Sequence, residues 1–184
     1  MSKLIDGILR YSEVTRSHQK AEKVNLNSLV TDIIHGIDLP DNIEIIIENQ
    51  LPTVKYEQTR MIQIFQNLIT NAVKYMDKPE GHIEINCNEK NGFWKFSIAD
   101  NGPGIEEKYY KKIFKIFQTL SPRDEVESTG IGLPLIKKII ENYGGEIWVE
   151  SKVGIGSIFF FTLPISQDAL KNTNRLLISA QVKS

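Results

Sequence analysis

The residues best suited to chemistry fall into three groups. In the run NLITNAVKY two amides and an ammonium recur at helical spacing: Asn67, Asn71 and Lys74. An asparagine oxygen is a hard, neutral ligand of the kind magnesium accepts, and Lys74, one turn on, can meet phosphate charge. The second group is DNGPGI, which opens at Asp100; the third is STGIGL, which ends at Leu133. Glycines at chain corners permit positive φ and close approach of the backbone to a ligand. A glycine cluster that opens a helix leaves free N–H groups directed at anions such as phosphate. The insert between the corners has the length of a lid and contains IFKIFQ, residues 113–118. Together these groups predict a nucleotide site under a mobile cover.

Those groups need elements to hold them. Residues 56–76 form the strongest helical pattern in the chain. With Asn67 at zero on a wheel of about 100° per residue, Arg60, Gln63, Asn71 and Lys74 fall within about 40° of it. Met61, Phe65, Leu68, Ile69, Ala72 and Met76 cluster on the other side. The helix therefore offers an apolar face to a core and a stripe of amides and cations to something else. Asparagine is a poor helix former, so two on one face suggest a use beyond solvation. FWKFSIA, residues 93–99, reads as a strand leading into Asp100. LPLIKKIIENYGG, after Gly132, reads as a helix with Gly144 as its terminal glycine.

The rest of the chain completes a sheet. HIEINCN, residues 82–88, alternates, with Ile83, Ile85 and Cys87 on one face. Asn91-Gly92 then gives a hairpin turn into 93–99. IEIIIE, residues 43–48, is a strand by its β-branched content. EIWVES, a turn through Gly154 and Gly156, and SIFFFTLP form a second hairpin. Near the start, residues 4–22 read as a helix, with Leu4, Ile8 and Tyr11 at helical spacing. A polar break, KAEKVN, precedes a second helix running to Gly36 and capped by Asn25 or Asn27. The tail has one helical stretch around residues 170–178. The expected fold class is α+β: a two-layer α/β sandwich with a mixed, mostly antiparallel sheet, helices on one face, and an added N-terminal helix.

Composition narrows the function classes. The chain has 184 residues, 41% hydrophobic and 24% charged, with net charge -1. That suits one domain with an appended element. Near-neutral charge gives no case for nucleic acid or for direct contact with an anionic membrane. One cysteine, Cys87, excludes an intramolecular disulfide and fits a reducing compartment. No run of about 18 apolar residues marks a transmembrane helix.

Four spaced pieces, NLITNAVKY, DNGPGI, IFKIF and TGIGL, resemble the catalytic ATP-binding domain of sensor histidine kinases. That domain belongs to a wider superfamily with Hsp90, DNA gyrase and mismatch-repair proteins, whose shared fold is the Bergerat-type ATP-binding sandwich. The resemblance implies ATP and Mg²⁺ as ligands, with Asn71 on the metal and Asn67 as a second polar position near it. Lys74 and Tyr75 match positions facing the phosphates and ribose. Asp100 matches the aspartate that accepts from the adenine amino group, a role suited to a group that accepts without donating. Gly102, Gly104 and Ile105 match the chain passing beside the base. Thr129, Gly130, Ile131, Gly132 and Leu133 match the corner whose backbone meets the phosphates. Phe114 and Phe117 match the aromatic motif of the lid, and Ser157 stands where the family usually has threonine; Arg123, in the lid segment, is a candidate phosphate contact, the alternative being a solvated loop arginine.

The family's phosphoacceptor histidine is followed by an acid and, five positions on, a proline. His35 has Pro40 at that distance, but Gly36 replaces the acid; His18 and His82 fit no better. The resemblance therefore implies a fragment of a cytoplasmic kinase. Residues 1–23 would be the end of the dimerisation and phosphoacceptor hairpin, residues 24–165 the catalytic domain, and residues 166–184 a tail. Its expected partners are the missing part of that hairpin, a response-regulator receiver domain, and a second copy in the full-length homodimer. ATP-hydrolysing relatives carry a glutamate where Asn67 stands, and Asn67 cannot take a proton at neutral pH. An ATP-hydrolysing conformational machine of the same fold, a serine kinase of the anti-sigma type and a purely regulatory nucleotide-binding module are the rival readings.

Overall fold

The computed structural model describes residues 20–118 and 130–166. Its main sheet has five strands in the order β2-β4-β5-β7-β6. These are β2 (Ile43–Ile47), β4 (Gly81–Lys90), β5 (Phe93–Asp100), β6 (Ile147–Lys152) and β7 (Gly156–Pro164). Only the β2–β4 pair is parallel. Asn91 and Gly92 join β4 to β5 with φ of 53° and 80°, the two positive values a tight hairpin turn needs. Strands β1 (Glu22–Asn25) and β3 (Thr53–Tyr56) form a separate antiparallel pair.

Among the described residues three α-helices accompany the sheets: α1 (Leu26–His35), α2 (Gln58–Lys74) and α3 (Gly132–Asn142). The Asn25 side chain caps α1 by accepting from Ser28 N. The core lies between α2, α3 and the inner face of the main sheet. Phe96 of β5 and Phe161 of β7 stack at 4.7 Å, and Phe65 of α2 meets both edge-on at 5.6 and 5.5 Å. All three rings are fully buried, so truncating Phe65 to alanine would cost about 3–5 kcal/mol. This packing fixes the rotation of α2 and with it the direction of its amide stripe.

The architecture is the expected one, with local differences. Most of the polar break is strand β1, and its partner TVKY carries no strand pattern in the sequence. Each buries one or two side chains, Val24 in one and Val54 and Tyr56 in the other, too few to show a period. The strongest helix starts at Gln58, because Tyr56 lies in β3 and donates its hydroxyl to Pro164 O at 2.6 Å. Arg60 leaves the polar stripe: it is buried against Glu57, 3.6 Å away, and Gln63, 3.0 Å away. Most of the helix expected at 4–22 and all of the one around 170–178 lie outside the described residues, and Glu22 belongs to β1.

Candidate nucleotide site

Asp100 is the last residue of β5. Register places Ile83, Asp100, Ser157 and Ser151 in one row across β4, β5, β7 and β6. Ser157 is buried. The Asp100 carboxylate accepts from Gly102 N at 3.0 Å and from the backbone N–H of Ser157. Burial pushes its pKa above the ordinary 3.8; the two N–H groups pull it back, and the charge of Asp77 adds a smaller upward push.

After Asp100 the chain turns and lies against the β6–β7 hairpin. Gly104 has φ 74°, and a Cβ there would stand 2.3 Å from Lys152 O. Gly154 N donates to Pro103 O at 2.7 Å. Ile105 N donates to Ser151 Oγ at 2.8 Å. The Tyr110 hydroxyl then takes both backbone groups of Ser151, donating to its O and accepting from its N. Tyr110 thereby covers the outer edge of β6 at that point.

The opposite wall comes from α2 and α3. Asn67 Nδ2 donates to Gln63 O at 2.7 Å, and its Oδ1 packs on Gly132, where a Cβ would lie 2.4 Å away. Ile131 caps α3 without a side-chain hydrogen bond, so the cap residue itself leaves the first N–H groups of this helix unsatisfied. Gly130 has φ 63° and accepts from Phe117 N at 3.0 Å. Lys74 Nζ lies 5.6 Å from the centre of the Tyr75 ring.

Two adjoining cavities result. The larger, about 310 Å³, is lined by Asn71, Tyr75, Asp100, Gly104, Ile105, Leu133 and Ser157, with Ala72, Pro103, Ile113, Gln118 and Phe159. The smaller, about 230 Å³, is lined by Asn67, Asn71, Lys74, Tyr75, Gly130, Gly132 and Leu133, with Ile113, Gln118 and Pro134. Asn71, Tyr75 and Leu133 belong to both. The first joins a carboxylate to apolar walls; the second gathers amides, an ammonium and a helix start.

The other expected residues sit around this space. Gly102 supports Asp100 through its N–H, and Ile131 is buried beneath the second corner. Phe114 packs edge-on to Phe159 at 6.5 Å, whereas Phe117 has φ 63° and is 47% exposed. Arg123 and Thr129 lie outside the described residues. Gln118, Ile113, Pro103, Ala72, Pro134 and Phe159 also line the space, although the motifs alone give them no site role. All six stand inside the runs quoted above, Ala72 on the apolar face of the helix, so their positions were in view without this role.

Residues 56–167 match the family described as "Histidine kinase-, DNA gyrase B-, and HSP90-like ATPase". Cyanobacterial phytochrome A of Nostoc sp. (strain PCC 7120 / SAG 25.82 / UTEX 2576) is 38% identical over 167 residues, 90% of this chain and 22% of its own length. The adaptive-response sensory kinase SasA of Prochlorococcus marinus (strain AS9601) is 38% identical over 162 residues, 84% of this chain and 43% of its own. The chain thus spans less than half the length of either relative. The catalytic domain of histidine kinase ThkA matches with TM-score 0.67 and 29% identity over 82% of this chain and 99% of that one. ThkA in complex with the response regulator protein TrrA gives 0.68 and 26%, over 91% and 48%. No helix among the described residues is long and apolar enough to cross a membrane.

Proposed function

The chain belongs to the histidine kinase-, DNA gyrase B- and HSP90-like ATPase family, and from that premise we propose that it is the catalytic, ATP-binding part of a longer cytoplasmic protein-histidine kinase. Residues 24–165 form the catalytic domain in this reading, and residues 1–23 end the helical hairpin that carries the acceptor histidine elsewhere in the protein. The observation that carries it is the pair of cavities joined at Asn71, with Asp100 on one side and Lys74 and the start of α3 on the other. Asp100 accepts from the exocyclic amine of adenine, while Ile105, Ile113, Leu133 and Phe159 enclose the ring. Lys74 and the open N–H groups of α3 take the phosphate charge.

Asn71 fits magnesium. Its amide is one neutral oxygen ligand beside the anion-facing groups, and the described residues contain no cluster of three or more His, Cys, Asp or Glu that could cage a metal. Magnesium takes few protein ligands and completes its shell with water and phosphate. Bound there, it would neutralise charge on the phosphates. Asn67 cannot act as a base toward water, which favours transfer of the γ-phosphoryl group to an imidazole on the hairpin. A receiver domain accepts it next, and the full-length kinase works as a homodimer.

Calorimetric titration with ATP and Mg²⁺ tests the base assignment. Asp100→Asn replaces an acceptor by a group that also donates, and should weaken binding about ten- to hundredfold. Equal, tight binding by both proteins would defeat the assignment. Labelled ATP and a separately supplied hairpin test the acceptor: acid-labile label on histidine is expected, and acid-stable label on serine would overturn the kinase class.

A further inference from the structure

We infer that Ser151, which lines neither cavity, is a positioning residue that sets the nucleotide-base preference by fixing which way the Ser157 hydroxyl points its proton. The inference rests on the nucleotide reading above and concerns which base that site takes. A serine hydroxyl has one proton to give and two lone pairs with which to accept. Ser151 Oγ has three partners: Ile105 N at 2.8 Å, Gly156 O at 2.7 Å and Ser157 Oγ at 3.0 Å. The Ile105 N–H donates into it. Gly156 O is a carbonyl and can only accept, so that contact takes the proton of Ser151. Reversing it would set two lone pairs against each other at 2.7 Å. The remaining contact, to Ser157, is then made with the proton of Ser157. Ser157 has spent its one proton and faces the larger cavity with lone pairs alone.

The consequence is a side-chain pair of acceptors in the lining of that cavity. Asp100 and Ser157 stand directly across from each other in the β5–β7 register and both line it. Neither offers a hydrogen there while Asp100 is ionised. Two acceptors suit the two N–H donors of an exocyclic amine. A base with a carbonyl at the same position would set an acceptor against them. Ser151 itself is held by Tyr110, whose hydroxyl engages its backbone N and O.

ATP and ITP separate this role from a structural one, because their bases differ at position 6, amine against carbonyl. Titration of the wild type should favour ATP. Ser151→Ala releases the Ser157 proton to turn inward, and should narrow the ATP:ITP preference by about fivefold, the worth of one neutral hydrogen bond. Ser151→Thr keeps a hydroxyl and should restore the preference. Ser157→Ala alone should also narrow it, and adding Ser151→Ala to that variant should change the ratio no further. Loss of ATP and ITP binding by the same factor in Ser151→Ala would overturn the inference and leave the kinase reading standing. Should Ser151→Ala fail to fold, an unchanged ratio in Ser157→Ala overturns it instead. A wild type that binds neither nucleotide defeats both.

Discussion

The two glycine corners of the site are built in opposite ways. At the first, residues 100–105, the backbone is tied to the sheet. Pro103 O takes Gly154 N, Ser151 Oγ takes Ile105 N, and Gly104 passes so close to Lys152 O that a Cβ would sit 2.3 Å from it. At the second, residues 130–132, the neighbours are the Phe117 and Gln118 backbone and the Asn67 amide. There α3 begins without a side-chain cap, whereas α1 has Asn25. On the proposed reading, the base-facing end is therefore set before a ligand arrives, and the anion-facing end starts a helix without a side-chain cap. That reading assigns selectivity to rigid acceptors at one end and affinity to N–H groups at the other.

The strongest way to break this contrast is to put the same methyl group at each corner. Gly104→Ala forces a residue with φ 74° to carry a side chain against a backbone carbonyl. Left-handed backbone costs about 1–2 kcal/mol and overpacking about 1–3 kcal/mol more, so unfolding free energy should fall by about 3 kcal/mol. Chemical denaturation measures it. A loss below about 1 kcal/mol with ATP binding intact would show that the first corner is as yielding as the second.

Gly132→Ala is the matching change at the second corner. Its Cβ would meet Asn67 Oδ1, the end of a side chain, rather than backbone. Alanine also favours the helix over glycine by about 1 kcal/mol, so stability should stay within about 1 kcal/mol of wild type. The displaced amide intrudes on the smaller cavity, and ATP affinity should drop about tenfold, or 1.4 kcal/mol. Paired thermal melts and titrations read the two quantities. A melting loss as large as that of Gly104→Ala would erase the distinction between the corners.

Much of this site was legible in the chain, because its parts are local. Asn67, Asn71 and Lys74 share a face through helical spacing alone, and the two corners announce themselves by glycine. What escaped is what depends on distant partners. Ser151 and Tyr110 are 41 positions apart, and Ser151 meets Ile105 across 46. No periodicity links them; the sheet edge brings them together. Arg60 was misplaced for a related reason. Its wheel position matches the stripe, but Glu57, one turn earlier, draws it into a buried pair. Strands β1 and β3 escaped because each is four residues long. The fold class survived these gaps because the longer strands and α2 carry the core.

The two ends should also differ in their response to acid, with the smallest of the three effects. Asp100 titrates above its ordinary 3.8 because burial disfavours its charge, partly offset by the N–H groups of Gly102 and Ser157. The amides of Asn67 and Asn71 do not titrate. If Asp100 reads the base as proposed, it must be ionised to accept the amine, so ATP affinity should fall as pH drops through that raised value. Tripolyphosphate engages the anion end alone and should show no such step. The ligand-free protein responds with the opposite sign. A carboxyl with a raised folded pKa contributes stability that is fully present below 3.8 and lost as pH rises through the folded value. Acidification thus relieves Asp100 in the empty site while weakening the full one. Titrations of both ligands from neutral pH downward, repeated with Asp100→Asn, separate these terms. In the variant the ATP curve should lose its extra step and run parallel to that of tripolyphosphate. If the wild-type curves are already parallel, Asp100 does not read the base, and the contrast between the corners loses its chemical side.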